Sequence, residues 1–487
     1  MLFNSYIFVF LFFPAVLLGY YSLHHFEAKK PAVGFLILMS MWFYGYNSFA
    51  YLCILIFSIV FNYILVGFLW RVPDGLQKKL IFAAGILFNI GILFYYKYYD
   101  FFIENVNAAT GTNFGLLHLM LPLGISFYTF QQMSYVIDSY RKECERYSLL
   151  EYAAYVSFFP QLIAGPIVYH DELIPQLRDA KKHHINYENL CKGIYAFALG
   201  LAKKVLVADT FSKVVTIGYE DVGELNAISV LIVMVCYSLQ IYFDFSGYCD
   251  MAWGIGYLFN IELPINFHSP YKAASITEFW DRWHMTLTRF FTKYVYIPLG
   301  GSRKGKLRTY VNVLIVFFVS GIWHGANWTF LLWGILNGIG NIFDKLFGRF
   351  FKWVPRAVGV AATFCFSTFA WSLFRADSIG QAKRMWKQLA AFGDGSVYQP
   401  ITEVFNELTE VKLLYRIGFG SLIEQYPASC LVFFMTVIVG ACFFMKNTQE
   451  KVRVMQYTPL RIVVVTGLLI WSILSLSDVS EFLYFNF

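Results

Sequence analysis

The chain has 487 residues, of which 58% are hydrophobic, 20% aromatic and only 14% charged, and its mean hydropathy is +0.54. So much apolar surface cannot all be hidden in a water-soluble core, which excludes a soluble domain and leaves an all-α polytopic membrane protein surrounded by membrane lipids. In such a protein the net charge of +7 first reports topology, so nucleic-acid binding carries no weight. The eight cysteines lie scattered between Cys53 and Cys442, without C-x-x-C or histidine spacing. They read as small core residues, and no metal site is expected.

In chain order, the opening "MLFNSYIFVFLFFPAVLLGYY" lacks a basic n-region and a small-residue cleavage site, so it is expected to be a retained first span. Apolar stretches follow near 31–46, 49–70, 80–97, 116–137, 150–168, 189–208, 227–260, 309–323, 326–346, 354–374, 428–445 and 462–478. The stretch "FFPQLIAGPI", with Pro160, Gly165 and Pro166, is expected to be broken or re-entrant, which leaves about ten to twelve crossings around a single membrane domain, 1–487. Basic residues on alternate loops (Lys29 and Lys30; Arg71, Lys78 and Lys79; Arg141, Lys142 and Arg146) orient the spans with the N-terminus outside. Lys446, Lys451, Arg453 and Arg461 place the loop before the last span in the cytoplasm. The excursion 375–427 and the tail 479–487 are then expected on the extracytoplasmic side of a bacterial cytoplasmic membrane.

Polar residues crowd the middle of the chain: Asp244 and Asp250 in one apolar run, then Glu278, Asp281, Arg282 and His284 in the next. A charge at the centre of an inserted helix costs about 2.5–3.5 kcal/mol, so these groups require partners or a wet cavity, and ion pairing that holds helices in register is the favoured role for the acids. Arg303, Lys304, Lys306 and Arg308 fit a solvated cytoplasmic loop. His324 differs, because it sits in the uncharged run "VFFVSGIWHGANWTFLLWGI" between Gly321 and Gly325, with Ser320 and Asn327 nearby. Spacing alone leaves it balanced between a core histidine and a proton acceptor poised near neutral pH; the glycines would admit another backbone or a thin substrate.

The stretches "FYTFQQMSYVIDSYR", "FFPQLIAGPI", "DFSGYCDMAWGIGYLFNIELPINF", "FWDRWHMTLTRFFTKYVYIPLGG" and "SGIWHGANWTFLLWG" resemble the membrane-bound O-acyltransferase family, in its bacterial branch of polysaccharide O-acetyltransferases. The similarity runs from the first residues to the last. It implies helices around a central tunnel, with the family's active-site histidine matching His324 and its second polar position matching His284. It also implies acetyl-CoA as the acyl donor, no metal, and a hydroxyl of peptidoglycan, alginate or another exopolysaccharide as final acceptor. A secreted serine-esterase-like (SGNH-type) partner would complete the transfer, since the chain has no G-x-S-x-G elbow of its own.

The tail "SEFLYFNF" fits the same resemblance. In related systems that load D-alanine onto teichoic acids, a separate small peptide ends in F-x-Y-x-x-F, whose tyrosine carries the acyl group outward. Phe482, Tyr484 and Phe487 spell that pattern here, so Tyr484 is expected to be an acyl relay, against the alternative of an interfacial aromatic anchor. Two rival functions remain in view: a D-alanyl transferase for teichoic acids, and a transporter or flippase for a lipid-linked glycan.

Overall fold

The computed structural model describes residues 1–348, 350, 353–391, 395–478 and 482–483, and among them every regular element is a helix. The first third comprises α1 (Phe13–His25), α2 (Lys29–Gly45), α3 (Phe49–Arg71), α4 (Leu76–Leu93), α5 (Tyr99–Thr110) and α6 (Ile125–Arg141). The middle comprises α7 (Leu149–Ser157), α8 (Phe159–Leu162), α9 (His170–Arg178), α10 (Tyr187–Ala202), α11 (Asp209–Glu220), α12 (Ala227–Leu258), α13 (Ile276–Arg282) and α14 (Met285–Phe291). After these come α15 (Lys306–His324), α16 (Trp328–Phe347), α17 (Arg356–Arg375), α18 (Ile379–Leu389), α19 (Gln399–Asn406), α20 (Thr409–Leu414), α21 (Gly420–Gln425), α22 (Ser429–Phe444), α23 (Thr448–Arg453) and α24 (Pro459–Leu474).

Small polar residues placed just ahead of apolar runs set where several of these helices begin. Ser48 accepts from the Tyr51 amide at the start of α3, Asn226 from Ser229 at α12, and Asn327 from Thr329 at α16. Each satisfies an amide that the first turn leaves without an intrahelical partner. Ser148 and Glu151 close a reciprocal capping box on α7.

The fold is organised around α12. Of its most apolar stretch 78% is buried by protein, against 17% for 76–110, so α12 is the central helix and α4–α5 present their sides to lipid. Along α12, close backbone contact with α10 needs glycine: a Cβ at Gly200 would lie 2.6 Å from the Gly247 carbonyl oxygen, and one at Gly254 2.7 Å from that of Gly193.

Six described helical segments are long and apolar enough to cross a membrane singly, and a seventh is counted if α20–α21 and α22, bent by 99°, form one broken span. The larger number expected from hydropathy includes stretches that fold as shorter helices, such as α2 with 17 residues and α10, α22 and α24 with 16 each. The expected span at 116–137 is only partly helical, since α6 begins at Ile125 after Gly124 in a left-handed conformation (φ +72°). The residues before it fold back on α5, where Asp100 accepts from the amides of Leu117 and His118.

The proline-broken element is re-entrant. α7 stops at Phe158 (φ −52°, ψ 107°), Pro160 opens the four-residue α8, and the chain returns to where it entered. Arg178 at the end of α9 bridges Glu151 at the start of α7 at 2.6 Å, and Tyr147 bonds His170 at 3.0 Å. Two of the basic loops meet: Asp74 bonds Lys142 at 2.9 Å and Lys78 at 2.7 Å, and these two ammonium groups hold its carboxyl down to about 2. The excursion after α17 lies over one end of the bundle, where Gln381 of α18 donates to the Tyr219 carbonyl and Gln388 to that of Gly223.

Candidate functional site

The site is built where α15 ends. Gly321 lets α15 press on α16, because a Cβ there would lie 2.5 Å from the Phe330 carbonyl oxygen, and a Cβ on Gly325 would strike the Phe330 ring at 2.2 Å. The glycines beside His324 thus serve helix–helix approach. Gly321→Val is expected to destabilise the protein by about 1–3 kcal/mol through overpacking, read as a lower melting temperature in detergent; an unchanged melting temperature would contradict this packing.

His324 is the last residue of α15 and is 2% exposed. Its ring is walled by Trp323, Trp333 and Phe374, with centroids 4.9, 5.1 and 5.1 Å away. Lys97, in the π-helical turn Phe94–Tyr98, donates to the backbone carbonyls of Trp323 (2.6 Å) and His324 (3.2 Å), and Tyr98 donates to Ile322 (3.0 Å). These donors satisfy the last carbonyls of α15.

His284 is fully buried and caps α14 with a left-handed backbone, φ +46° and ψ +51°. Such a conformation costs about 1–3 kcal/mol for a residue other than glycine and requires a surrounding structure that imposes it. Here the chain at 266–268 imposes it: the Met285 amide donates to the Asn266 carbonyl and the His268 amide to that of Arg282.

The Asn266 side chain fixes the imidazole. Its Oδ1 accepts from the Thr286 amide (3.2 Å) and hydroxyl (2.9 Å) and lies 3.1 Å from His284 Nδ1. A backbone amide can only donate, so this atom is an oxygen, and His284 carries its proton on Nδ1. The lone pair of neutral His284 is then on Nε2. The structure brings the two predicted histidines together, with ring centroids 6.5 Å apart, wider than a direct hydrogen bond between ring nitrogens allows.

The acids take the structural role expected of most of them. Asp250 is held by Lys203 (2.6 Å), Thr448 and Gln449, and Glu278 by Arg282 (2.9 Å) and Arg356 (2.8 Å). Asp281 departs from this: it is exposed and makes no ion pair among the described residues. Asp244 pairs with Lys204 at 2.6 Å and also accepts from the Leu483 amide at 3.0 Å.

Phe482 is 1% exposed and packs on Tyr248 of α12, so this residue of the tail is seated inside the protein. Tyr484 and Phe487 lie outside the described residues. Ser320 is buried near His324 in α15, and Asn327 serves as a cap.

Sequence reasoning passed over Lys97, Lys204 and Asn266. For the two lysines a signal existed, since a lysine inside an apolar run ("LFYYKYY", "GLAKKVLV") asks for a partner. Asn266 gave none, because its role depends on a contact across 18 residues. A cleft of about 800 Å³ between α10–α11, α22 and α24 has Lys203, Lys213, Lys446 and Lys451 in its lining, and neither His284 nor His324 lines it.

Apolar helices around a buried central one, with two buried imidazoles close together among them, define an integral membrane protein. Residues 38–378 match the membrane-bound O-acyltransferase family. The chain belongs to that family and is an acyltransferase. It is 38% identical, over all of its length and 98% of the other's, to the peptidoglycan O-acetyltransferase of Helicobacter pylori. It is 35% identical to the probable alginate O-acetylase AlgI of Pseudomonas putida over 81% of each chain. To the teichoic acid D-alanyltransferase of Bacillus subtilis it is 24% identical, over 75% of this chain and 94% of that one.

Proposed function

We propose that this protein is a membrane O-acetyltransferase that takes acetyl from cytoplasmic acetyl-CoA and passes it through Tyr484 toward hydroxyls of an extracytoplasmic polysaccharide, peptidoglycan first among them. The observation that carries the chemistry is the buried pair His284–His324, with Phe245 against His284 at 4.8 Å and the adjacent Asp244 holding the Leu483 amide. The tail that contains Tyr484 is therefore anchored one residue away from a residue that touches the site. The full-length likeness to a peptidoglycan O-acetyltransferase supports the acceptor, and the more distant likeness to a D-alanyltransferase makes that reading second. Membership in an acyltransferase family stands against a flippase.

In this reading His324 removes the phenolic proton of Tyr484 as the phenolate attacks the thioester carbonyl. The thiolate leaves and recovers the proton, giving an acetyl-tyrosyl ester and free CoA. The acidities order the handovers: a thiol near pKa ~8.5, a phenol near ~10 and a sugar hydroxyl higher still make each transfer downhill. His284, with its proton on Nδ1, offers an acceptor at Nε2; it orients the reacting groups, and could donate to an oxyanion only once protonated. An extracytoplasmic serine-esterase-like partner then takes the acetyl group from the tail to the sugar. No metal has a role in these steps.

The reading is tested with the protein reconstituted in liposomes and supplied with labelled acetyl-CoA. Release of CoA together with labelled acetyl on protein or polymer is expected. Turnover of a D-alanyl carrier thioester in its place would favour the second reading. His284→Ala is expected to lower kcat by about 10²-fold or more while leaving the donor KM near its original value; equal damage to both would reduce His284 to a scaffold residue.

A further inference from the structure

The cleft of about 800 Å³ beside α22 and α24 stands apart from the histidine pair, and its walls are of two kinds. Most of the lining is apolar, with Leu199, Val205, Leu206, Phe434 and Leu468 in it. Phe433 and Leu474 also line it and are 72% exposed each, so the cleft opens sideways, where the helices face lipid. Among the described residues of α22 only Leu431 and Cys442 are buried, so protein covers little of this helix. The lining follows α22 from Cys430 to Met445, which at ~1.5 Å per residue is about 22 Å. That is deeper than one leaflet of a hydrocarbon core about 30 Å thick.

Lysines gather where the chain leaves α22. Lys446 and Lys451 line the cleft, and Lys203 joins them, because its ammonium bonds Asp250 at 2.6 Å and Asp250 also accepts from Thr448 and Gln449. Lys272 is drawn to the same place, donating to the Met445 carbonyl at 2.7 Å. Asp250 is matched to Lys203, and Glu450 faces His268 at 3.9 Å, whereas Lys272, Lys446 and Lys451 make no ion pair among the described residues. Burial and the Lys203 ammonium depress the Lys451 pKa, as a cation lacking its anion requires. The acids elsewhere in the lining have other partners: Asp209 meets Lys204 at 2.8 Å, and Glu410 accepts from the Trp471 indole at 3.0 Å. Positive charge is therefore left over beside an apolar groove.

We propose that this cleft binds one phospholipid with an anionic head group, its phosphate among Lys446, Lys451 and Lys203 and an acyl chain along the apolar wall between α22 and α24. A basic pocket between membrane helices suits such a head group, and flexible ammonium groups meet a phosphate as point charges. Hydrocarbon outside the cleft is as apolar as hydrocarbon within it, so the acyl chain fills the groove by packing and the lysines do the selecting. A zwitterionic lipid brings a cation of its own and gains less from them. A soluble phosphate would use the lysines but leave the apolar wall, which faces the bilayer, uncovered. The inference goes beyond the reaction and does not depend on which acyl group is transferred.

The test uses the full-length protein in a neutral detergent, stripped of co-purified lipid. Native mass spectrometry reads lipid-bound protein and a melting curve reads stability. Phosphatidylglycerol is expected to give a one-lipid complex at a concentration about tenfold or more below that needed for phosphatidylcholine, and to raise the melting temperature. Lys446→Gln together with Lys451→Gln is expected to abolish that preference; Lys446 is exposed and Lys451 half-buried, so neither exchange opens the core. Arg303→Gln together with Lys306→Gln removes the same charge from another exposed loop and is expected to keep the preference. Ala441→Phe puts a ring into the cleft without touching a charge and is expected to lower occupancy by phosphatidylglycerol. Equal binding of the two lipids, a preference that survives the paired lysine exchange, or undiminished occupancy in Ala441→Phe overturns the site. A preference lost to the same extent in the Arg303 and Lys306 pair reduces it to general surface charge. Stabilisation by acetyl-CoA in place of phosphatidylglycerol, lost when Lys446 and Lys451 are exchanged, would give the cleft to a soluble anion and remove the lipid.

Discussion

His324→Ala is expected to abolish acetylation of the extracellular polymer, with transfer falling by about 10²–10⁴-fold, the range a positioned general base contributes. The ring lies where two helices are already fixed by other contacts: Gly321 against the Phe330 carbonyl, and Lys97 and Tyr98 on the last carbonyls of α15. None of these uses the imidazole, so the helix end should remain in place after truncation. The cavity left among Trp323, Trp333 and Phe374 destabilises by about 2–5 kcal/mol if it behaves like other large-to-small core changes, so His324→Gln is the companion variant. It retains bulk and hydrogen-bonding atoms but cannot accept a proton near neutral pH. Loss of transfer in both variants, with the Gln protein melting near the original temperature, is the expected pattern. Polymer acetylation persisting in His324→Gln would return His324 to the role of a core residue.

Tyr484→Phe is expected to stop transfer to the polymer as completely. The change keeps the ring and its size and removes only the hydroxyl that can be esterified, so an aromatic anchor tolerates it and a relay does not. The anchoring contacts fall on Phe482 and Leu483, so the Phe variant should still dock its tail. Slow thioester hydrolysis by water is expected to continue, because His324 and His284 are intact. The assay is mass spectrometry of the C-terminal peptide after incubation with labelled acetyl-CoA and no partner protein. Normal polymer acetylation by Tyr484→Phe would sink the relay.

The sequence by itself determined the solvent and the local elements. Composition demanded a membrane, polar caps such as Ser48 and Asn226 fixed helix starts, and Pro160 in an apolar run dictated a break. It also singled out His324 and His284, through the motifs that carry the family likeness and the cost of polar groups in lipid. These are one-dimensional signals: each depends on a residue and its neighbours within a turn or two.

What only the tertiary structure decided depends on contacts between residues distant in the chain. Hydropathy cannot tell a helix buried by protein from one buried by lipid, which is why α12 and the lipid-facing α4–α5 looked alike until their surroundings were known. The Nδ1 proton of His284 is set by an asparagine 18 residues away, and the carbonyls at the end of α15 are held by a lysine 226 positions from Trp323. Glu278 found the arginine one helical turn away, whereas Asp244 found Lys204 across 40 residues and the Leu483 amide across 239. Neighbours four apart on a helix can be read from spacing. Partners brought together by the packing of different helices cannot, because spacing along the chain carries no information about which helix faces which.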